Sequence, residues 1–240
     1  MWNRGVRVFS SAKALGMGVA ETALGYTIAS VKNLFNVSQS LHAGGWHEAY
    51  DDIREMFEIN IGVVGGGMAG SHYMRLLSMF NVNVLLYDPF IDADRAREQF
   101  GAEKVEFEEL LRRADVVSIH APSIPATNHM FNAETLRWMK PDATLINTAR
   151  GTIIDEAALY AHMKAGNLKY ACIDVFDPEP PAADNQLRTL PNCILSPHLA
   201  GLTHNGLLRI GAHCAGEIER YAQGLPLETE TTQCQQSTSA

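Results

Sequence analysis

No stretch reaches the roughly 18 consecutive apolar residues that a membrane-spanning helix needs. No membrane partner is therefore expected. Cysteine is sparse. Cys172, Cys193, Cys214 and Cys234 include no C-x-x-C pair, so neither a disulfide frame nor a zinc site is suggested, and no metal is expected. Thiols used this way read as the reduced cysteines of a cytoplasmic protein. Basic charge is short as well. Lys and Arg number 19 against 27 Asp and Glu, for a net charge of −8. Without a basic stripe, a nucleic-acid partner is not expected. Glycine (19) and proline (10) are at ordinary levels, which excludes collagen-like and low-complexity chains. Acid is missing locally at the N-terminus, where Arg4, Arg7 and Lys13 precede Glu21, the first acidic residue, among Ser10 and Ser11. Transit peptides share that composition, but the same stretch also has a structural reading, given below.

What is present is a core-forming composition: 46% hydrophobic and 19% charged over 240 residues, enough for one large domain or one domain and a remnant. Residues 15–35 carry helical spacing, with Val19, Ala23, Tyr26 and Ser30 on one face. Residues 36–58 are polar and read as a linker, with Trp46 anchoring it. Short β-branched runs then appear at 61–65, 82–87, 115–119, 143–147, 169–173 and 193–195. Helix-like stretches at 68–80, 92–100, 107–113, 133–139 and 156–165 alternate with them, and a long helix spans 203–222. That alternation predicts βαβ units, hence an α/β fold with a doubly wound parallel sheet. The tail from Leu225 is polar and reads as loose.

Ile61 to Gly70 (IGVVGGGMAG) sets a strand directly before G-x-G-x-x-G. Gly65 allows the tight turn, Gly67 lets backbone approach a pyrophosphate, and Gly70 lets helix and strand pack closely. The helix that begins near Met68 and Ala69 offers N–H groups to phosphates. A second strand ends in Asp88, 18 residues past Gly70, where a ribose-binding acid belongs. Its carboxylate would accept from both ribose hydroxyls and repel a 2′-phosphate, which argues for NAD over NADP. The alternative is a solvated strand-end Asp before Pro89.

Three polar residues fall at the C-terminal ends of predicted strands: Arg150, Glu179 and His198. Each has an ordinary alternative, as a cap, a turn carboxylate or a satisfied loop histidine. Together they fit hydride transfer from a secondary alcohol. Histidine suits the hydroxyl proton near neutral pH, a carboxylate beside it holds the ring, and a guanidinium binds a substrate carboxylate. Nicotinamide would accept the hydride.

The chain closely resembles the D-isomer-specific 2-hydroxyacid dehydrogenases over about residues 5–225. The landmarks are Val19-Ala20-Glu21-Thr22, Trp46, the glycine loop, Tyr87-Asp88-Pro89, His120-Ala121-Pro122, Asn147-Thr148-Ala149-Arg150-Gly151, Asp174-Val175-Phe176 with Glu179-Pro180, and Ser196-Pro197-His198 through Gly201. The resemblance implies a Rossmann-type NAD-binding domain, NAD as cofactor, and a small 2-hydroxy or 2-oxo acid as substrate. It makes Arg150 the substrate-binding arginine, Glu179 the partner acid and His198 the acid/base. It has Asp174 meet the nicotinamide carboxamide. Met68, Ala69, Ala121, Thr148, Ala149, Arg150, His198 and Gly201 are to line the cofactor. It also implies a homodimer through the helix around residues 17–35, whose apolar face has little of its own chain to cover it.

The departures matter too. The segment that forms most of a substrate domain in this family has no counterpart. Residues 1–17 read as a remnant of it, with Arg4 to Val8 resembling its last strand. Residues 18–200 then form the NAD-binding domain with its crossing helix, 201–225 the C-terminal helix, and 226–240 a loose tail. Ser10 stands where Asn is usual, and Tyr73 and Met74 are bulky for their place. Two rivals to an active dehydrogenase follow: an NAD-binding fragment that does not turn over, and an NAD-sensing interaction protein. Met79 reads as core, His72 as surface, and Cys172 and Cys193 as inert buried thiols.

Overall fold

A computed structural model describes residues 6–46 and 52–231. Arg4, Gly5, Cys234 and most of the expected loose tail lie outside those residues. Seven parallel strands form one sheet in the order β3-β2-β1-β4-β5-β6-β7. They are β1 (Asn60–Val64), β2 (Asn83–Tyr87), β3 (Glu103–Lys104), β4 (Val116–Ile119), β5 (Thr144–Asn147), β6 (Tyr170–Ile173) and β7 (Cys193–Leu195). Six are the runs legible in the sequence. The seventh, β3, is a two-residue polar edge strand with no apolar run to announce it.

Side-chain alternation divides the core in two. Ile61, Val63, Leu86 and Ile146 face α1 (Ala12–Val31), α3 (Met68–Leu77) and α4 (Ala93–Phe100). Leu85, Val117, Leu145 and Ile173 face α5 (Phe107–Arg113) and α6 (Glu156–Lys164). Helices thus cover both faces, as a fully buried parallel sheet requires. The stretch expected as a helix at 133–139 forms only a 3-10 turn, Thr135–Trp138. Asn132 Oδ1 caps it by accepting from Glu134 N and Thr135 N, and Pro141 follows closely.

Four expectations at the chain's ends need correction. First, the apolar face of the helix around 17–35, expected to lack cover, is covered: α1 runs from Ala12 to Val31. Its buried face is Gly16, Gly18, Ala20, Ala23, Thr27, Ser30 and Val31, which keeps Ala23 and Ser30 of the expected face but not Val19 and Tyr26. These small residues let it sit against α3, so its own chain covers it. Second, the polar stretch read as a linker begins as a helix, α2 (Leu34–His42), and Trp46 near its end is 74% exposed. Third, residues 6–8 are not a strand; Phe9 alone bridges Glu230. Fourth, residues 226–231 are not loose. Glu217, 2% exposed on α7 (His204–Ala222), accepts from Glu228 N and Thr229 N. Arg7 pairs with Glu230 at 2.8 Å, and Thr231 N donates to Val8 O. Met79 is also exposed (85%), because α3 ends at Leu77.

Candidate functional site

The order of strands reverses between β1 and β4, and there the C-terminal ends of an open α/β sheet leave a crevice. β1 leads into the glycine loop. Gly65 turns with φ +95°, a region that L side chains rarely adopt, and a Cβ on it would stand 2.8 Å from Ala121 N. Gly70 sits in the first turns of α3, where a Cβ would lie 2.1 Å from Gly65 O. These two glycines shape the loop from behind and do not line the cavity. Gly67 faces it: nothing lies within 4 Å of a Cβ built there, so backbone is open to a ligand. No side chain caps the start of α3 at Gly67, which leaves its first N–H groups and the positive end of its dipole directed to the crevice.

Asp88 closes β2. It is buried, at 8% exposed, which removes the solvated reading. Oδ2 accepts from Gly66 N at 2.7 Å and Oδ1 from Phe90 N at 2.7 Å, so the carboxylate is held against the glycine loop with lone pairs left for hydroxyl donors. Asp88 does not itself line the cavity.

The cavity encloses about 820 Å³. Of the residues named from the sequence, Gly67, Met68, Ala69 and Ala121 line one wall. Thr148, Ala149, Arg150, Asp174, His198 and Gly201 line another. Ser10, Ser11, Leu15, Val19, His120 and Leu202 also line it and were not assigned to it from the sequence. Ser10 and Ser11 come from far away in the chain and carry no motif of their own. His120 belongs to a legible landmark, but its burial was not foreseeable. Burial pushes its imidazole down to about 4, so the ring is neutral; Nε2 meets Ser118 Oγ at 3.0 Å.

Glu179 lies just beyond the lining and joins it through a hydrogen bond, with Oε2 2.7 Å from His198 Nδ1. Its Oε1 accepts from Phe176 N at 3.0 Å. Burial pushes the Glu179 carboxyl up, but the bonds from His198 and Phe176, with the charges of His198 and Arg150, outweigh it and hold the group below the ordinary carboxylate range. An ionised carboxylate only accepts, so Nδ1 carries the proton and Nε2 is the ring atom left for a reacting group. The His198 backbone has φ +55°, a strained conformation for a residue with a Cβ, costing about 1–3 kcal/mol. Its N–H donates to Asp174 O at 2.7 Å. Arg150 follows β5, with Nη1 donating to Ala149 O at 2.7 Å. Asn147 secures that turn, donating to Arg150 O and accepting from Ala149 N.

The two buried thiols lie away from this site. Burial pushes Cys172 and Cys193 upward, Cys193 to about 12, as inert core thiols should be. His72 is half-buried on α3. No cluster of metal-ligating side chains occurs among the described residues.

The profile of one family, described as D-isomer specific 2-hydroxyacid dehydrogenase, NAD binding domain, matches residues 24–200. The chain belongs to this family. A curated relative, D-3-phosphoglycerate dehydrogenase of Methanocaldococcus jannaschii, is 35% identical over 222 residues, covering 92% of this chain and 42% of its own. The chain thus spans less than half the length of that relative. The crystal structure of Rhodotorula graminis D-mandelate dehydrogenase superposes with a TM-score of 0.88 at 26% identity, over 96% of this chain and 70% of that one. An NAD-dependent formate dehydrogenase from Staphylococcus aureus, solved with NAD, gives 0.84 at 27% identity, over 95% of this chain and 69% of that one. The family's cofactor is NAD, and the residues here fit it: an open Gly67, an uncapped α3 start and a buried Asp88 beside the loop. The parallel sheet with helices on both faces is the Rossmann-type fold of these dehydrogenases.

Proposed function

We propose that the chain is the cofactor-binding part of an NAD-linked oxidoreductase acting on the CH–OH group of a small D-2-hydroxy acid, or on the corresponding 2-oxo acid. The observation that carries this reading is the His198–Glu179 pair, 2.7 Å apart, on the cavity that the glycine loop and Arg150 also line. When bound, NAD supplies the nicotinamide that accepts or returns the hydride. His198 takes the hydroxyl proton at Nε2 during oxidation and returns it to the oxygen during reduction. Glu179 keeps Nδ1 protonated and favours the imidazolium. The Arg150 guanidinium binds the substrate carboxylate and stands near the developing charge. Met68, Ala69, Ala121, Thr148 and Ala149 contact the cofactor, while Gly65, Gly70 and Asp88 shape and hold its binding loop. Asp174 is assigned to the nicotinamide side of the cavity. The rival readings are an NAD-binding protein that does not turn over and an NAD-sensing interaction protein.

The test follows NADH oxidation with glyoxylate, hydroxypyruvate and pyruvate, beside a His198→Ala variant. Turnover abolished in that variant supports the enzyme; NAD binding with no turnover on the whole panel supports the rivals.

The same reading carries a division into a short N-terminal segment at 1–17, the NAD-binding domain at 18–200, the C-terminal helix at 201–225 and a tail at 226–240. A cytoplasmic location belongs to it too. Among the described residues no helix is long and apolar enough to cross a membrane. A homodimer completes it. With α1 covered by α3, the exposed apolar side chains that support pairing include Leu34 (49%) and Leu41 (59%) on α2.

A further inference from the structure

A hydrogen-bond relay runs from α1 to the loop that carries His198. Tyr26, half-buried on α1, donates its hydroxyl to Ser196 Oγ at 2.7 Å. Ser196 Oγ donates in turn to Asp174 Oδ1. The fully buried Asp174 carboxylate also accepts from Leu199 N at 3.0 Å and Ala200 N at 2.9 Å, the two residues after His198. A second tether from the same helix runs from Thr22 Oγ1 to Ala200 O at 3.2 Å.

The direction of the relay follows from donor chemistry. A serine hydroxyl rotates freely until its partners choose a rotamer. Burial pushes the Tyr26 phenol above its ordinary value, so it keeps its proton and donates. By filling a lone pair of Ser196, it leaves the serine proton to point at Asp174. A buried carboxylate needs each of its donors.

We propose that Tyr26 is a positioning residue for His198, acting through Ser196 and Asp174 to hold the 196–200 loop so that the imidazole stays set against Glu179. The loop contains a left-handed His198 at φ +55°, a conformation that its surroundings must impose. His198 N also meets Ser196 O at 3.1 Å inside the loop, and the bonds to Asp174 anchor the loop to the sheet from outside it. Helix α1, through one phenol, thus reaches the acid/base without touching it. The importance of this for chemistry rests on the assignment of His198 made above.

The experiment is NMR on the cofactor-free 240-residue chain, with Tyr26→Phe, Ser196→Ala, Ser196→Thr and the Tyr26→Phe/Ser196→Ala double variant. It reads amide exchange at Leu199 and Ala200 and the titration curve of the His198 ring. Tyr26→Phe is expected to raise exchange at both amides about tenfold, as loss of one hydrogen bond would, and to move the His198 curve. Ser196→Ala should do the same, and Ser196→Thr, which keeps the hydroxyl, should not. The double variant should be no worse than Ser196→Ala, since one residue acts through the other. Where a 2-oxo acid is turned over, Tyr26→Phe lowers kcat by a larger factor than it changes the KM for NADH. Unchanged exchange and titration in Tyr26→Phe, or additive effects in the double variant, overturn the proposal. Absence of turnover on every 2-oxo acid would count against the dehydrogenase reading alone, with the NMR measurements still deciding the relay.

Discussion

At the scale of single residues, charge placement decides cofactor choice and acid behaviour. Asp88 is buried, and two backbone N–H groups fix its carboxylate beside the glycine loop. A 2′-phosphate brought there would meet a like charge it cannot escape. NAD should therefore bind at least about tenfold more tightly than NADP, and Asp88→Ala should shrink that gap. Calorimetric titration of both cofactors measures it; equal affinities in the parent chain would refute it. Glu179 makes a second case. Its carboxyl lies below the ordinary carboxylate value, so the stabilisation from its pairing is present above the unfolded value of about 4.3 and fades only as pH falls through the lower folded value. An activity profile should show no loss assignable to Glu179 until pH has fallen below the ordinary glutamate range. Glu179→Gln should cost roughly 10²-fold in turnover, since a neutral amide neither fixes the Nδ1 proton nor favours the imidazolium.

Among elements, the junction of β1 and α3 is the tightest point of the fold. A methyl group on Gly70 would stand 2.1 Å from Gly65 O, and the obstacle is backbone, which a rotamer change cannot relieve. Gly70→Ala should cost about 1–3 kcal/mol in stability, the range for overpacking a filled site. It should weaken NAD binding as well, because the helix start that receives the phosphates must move. Chemical denaturation and cofactor titration on one variant read both; NAD affinity left intact would mean that the loop tolerates the shift. At the other end of the chain, α7 recruits residues 228 and 229 through the buried Glu217 carboxylate. This packs an otherwise polar tail next to Ser10, on the cavity's edge.

For the molecule as a whole, the proposed acid/base pair is half-open to solvent: the His198 side chain is 48% and the Glu179 side chain 37% exposed. Water around that pair weakens its electrostatics and leaves the substrate poorly oriented. The 240-residue chain on its own should therefore bind NAD and turn over 2-oxo acids at least about 10³-fold more slowly than a two-domain relative, consistent with about 4 kcal/mol of barrier. Side-by-side NADH oxidation assays decide this, and comparable rates would refute it. Pairing through α2 is the second expectation at this scale. Light scattering at micromolar concentration should report a dimer, and Leu41→Glu should break it; a monomeric parent chain would remove the proposal.

Much of this was legible because local pattern and fold agree. Strands buried on both faces must be continuous apolar runs, so β1, β2, β4, β5, β6 and β7 stood out to within a residue or two. The glycine loop, Asp88, Arg150, Glu179 and His198 were legible because each follows a strand whose end points to the crevice. Other features depended on partners distant in sequence. The buried face of α1 is set by how closely small residues let it approach α3, not by apolar periodicity, and so Ala20 and Thr27 replaced Val19 and Tyr26. The ordered residues at 228–231 depend on the buried Glu217 carboxylate and on Arg7, Val8 and Phe9, up to 223 positions away. The Tyr26–Ser196–Asp174 relay joins residues up to 170 positions apart. Sequence alone determined six of the seven strands and the candidate reacting groups, because periodicity and turn chemistry act over a few residues. Only the tertiary structure decided which hydroxyls and carboxylates hold those groups still, because a hydrogen bond is specified by the meeting of two side chains, and that meeting is a property of the packed fold.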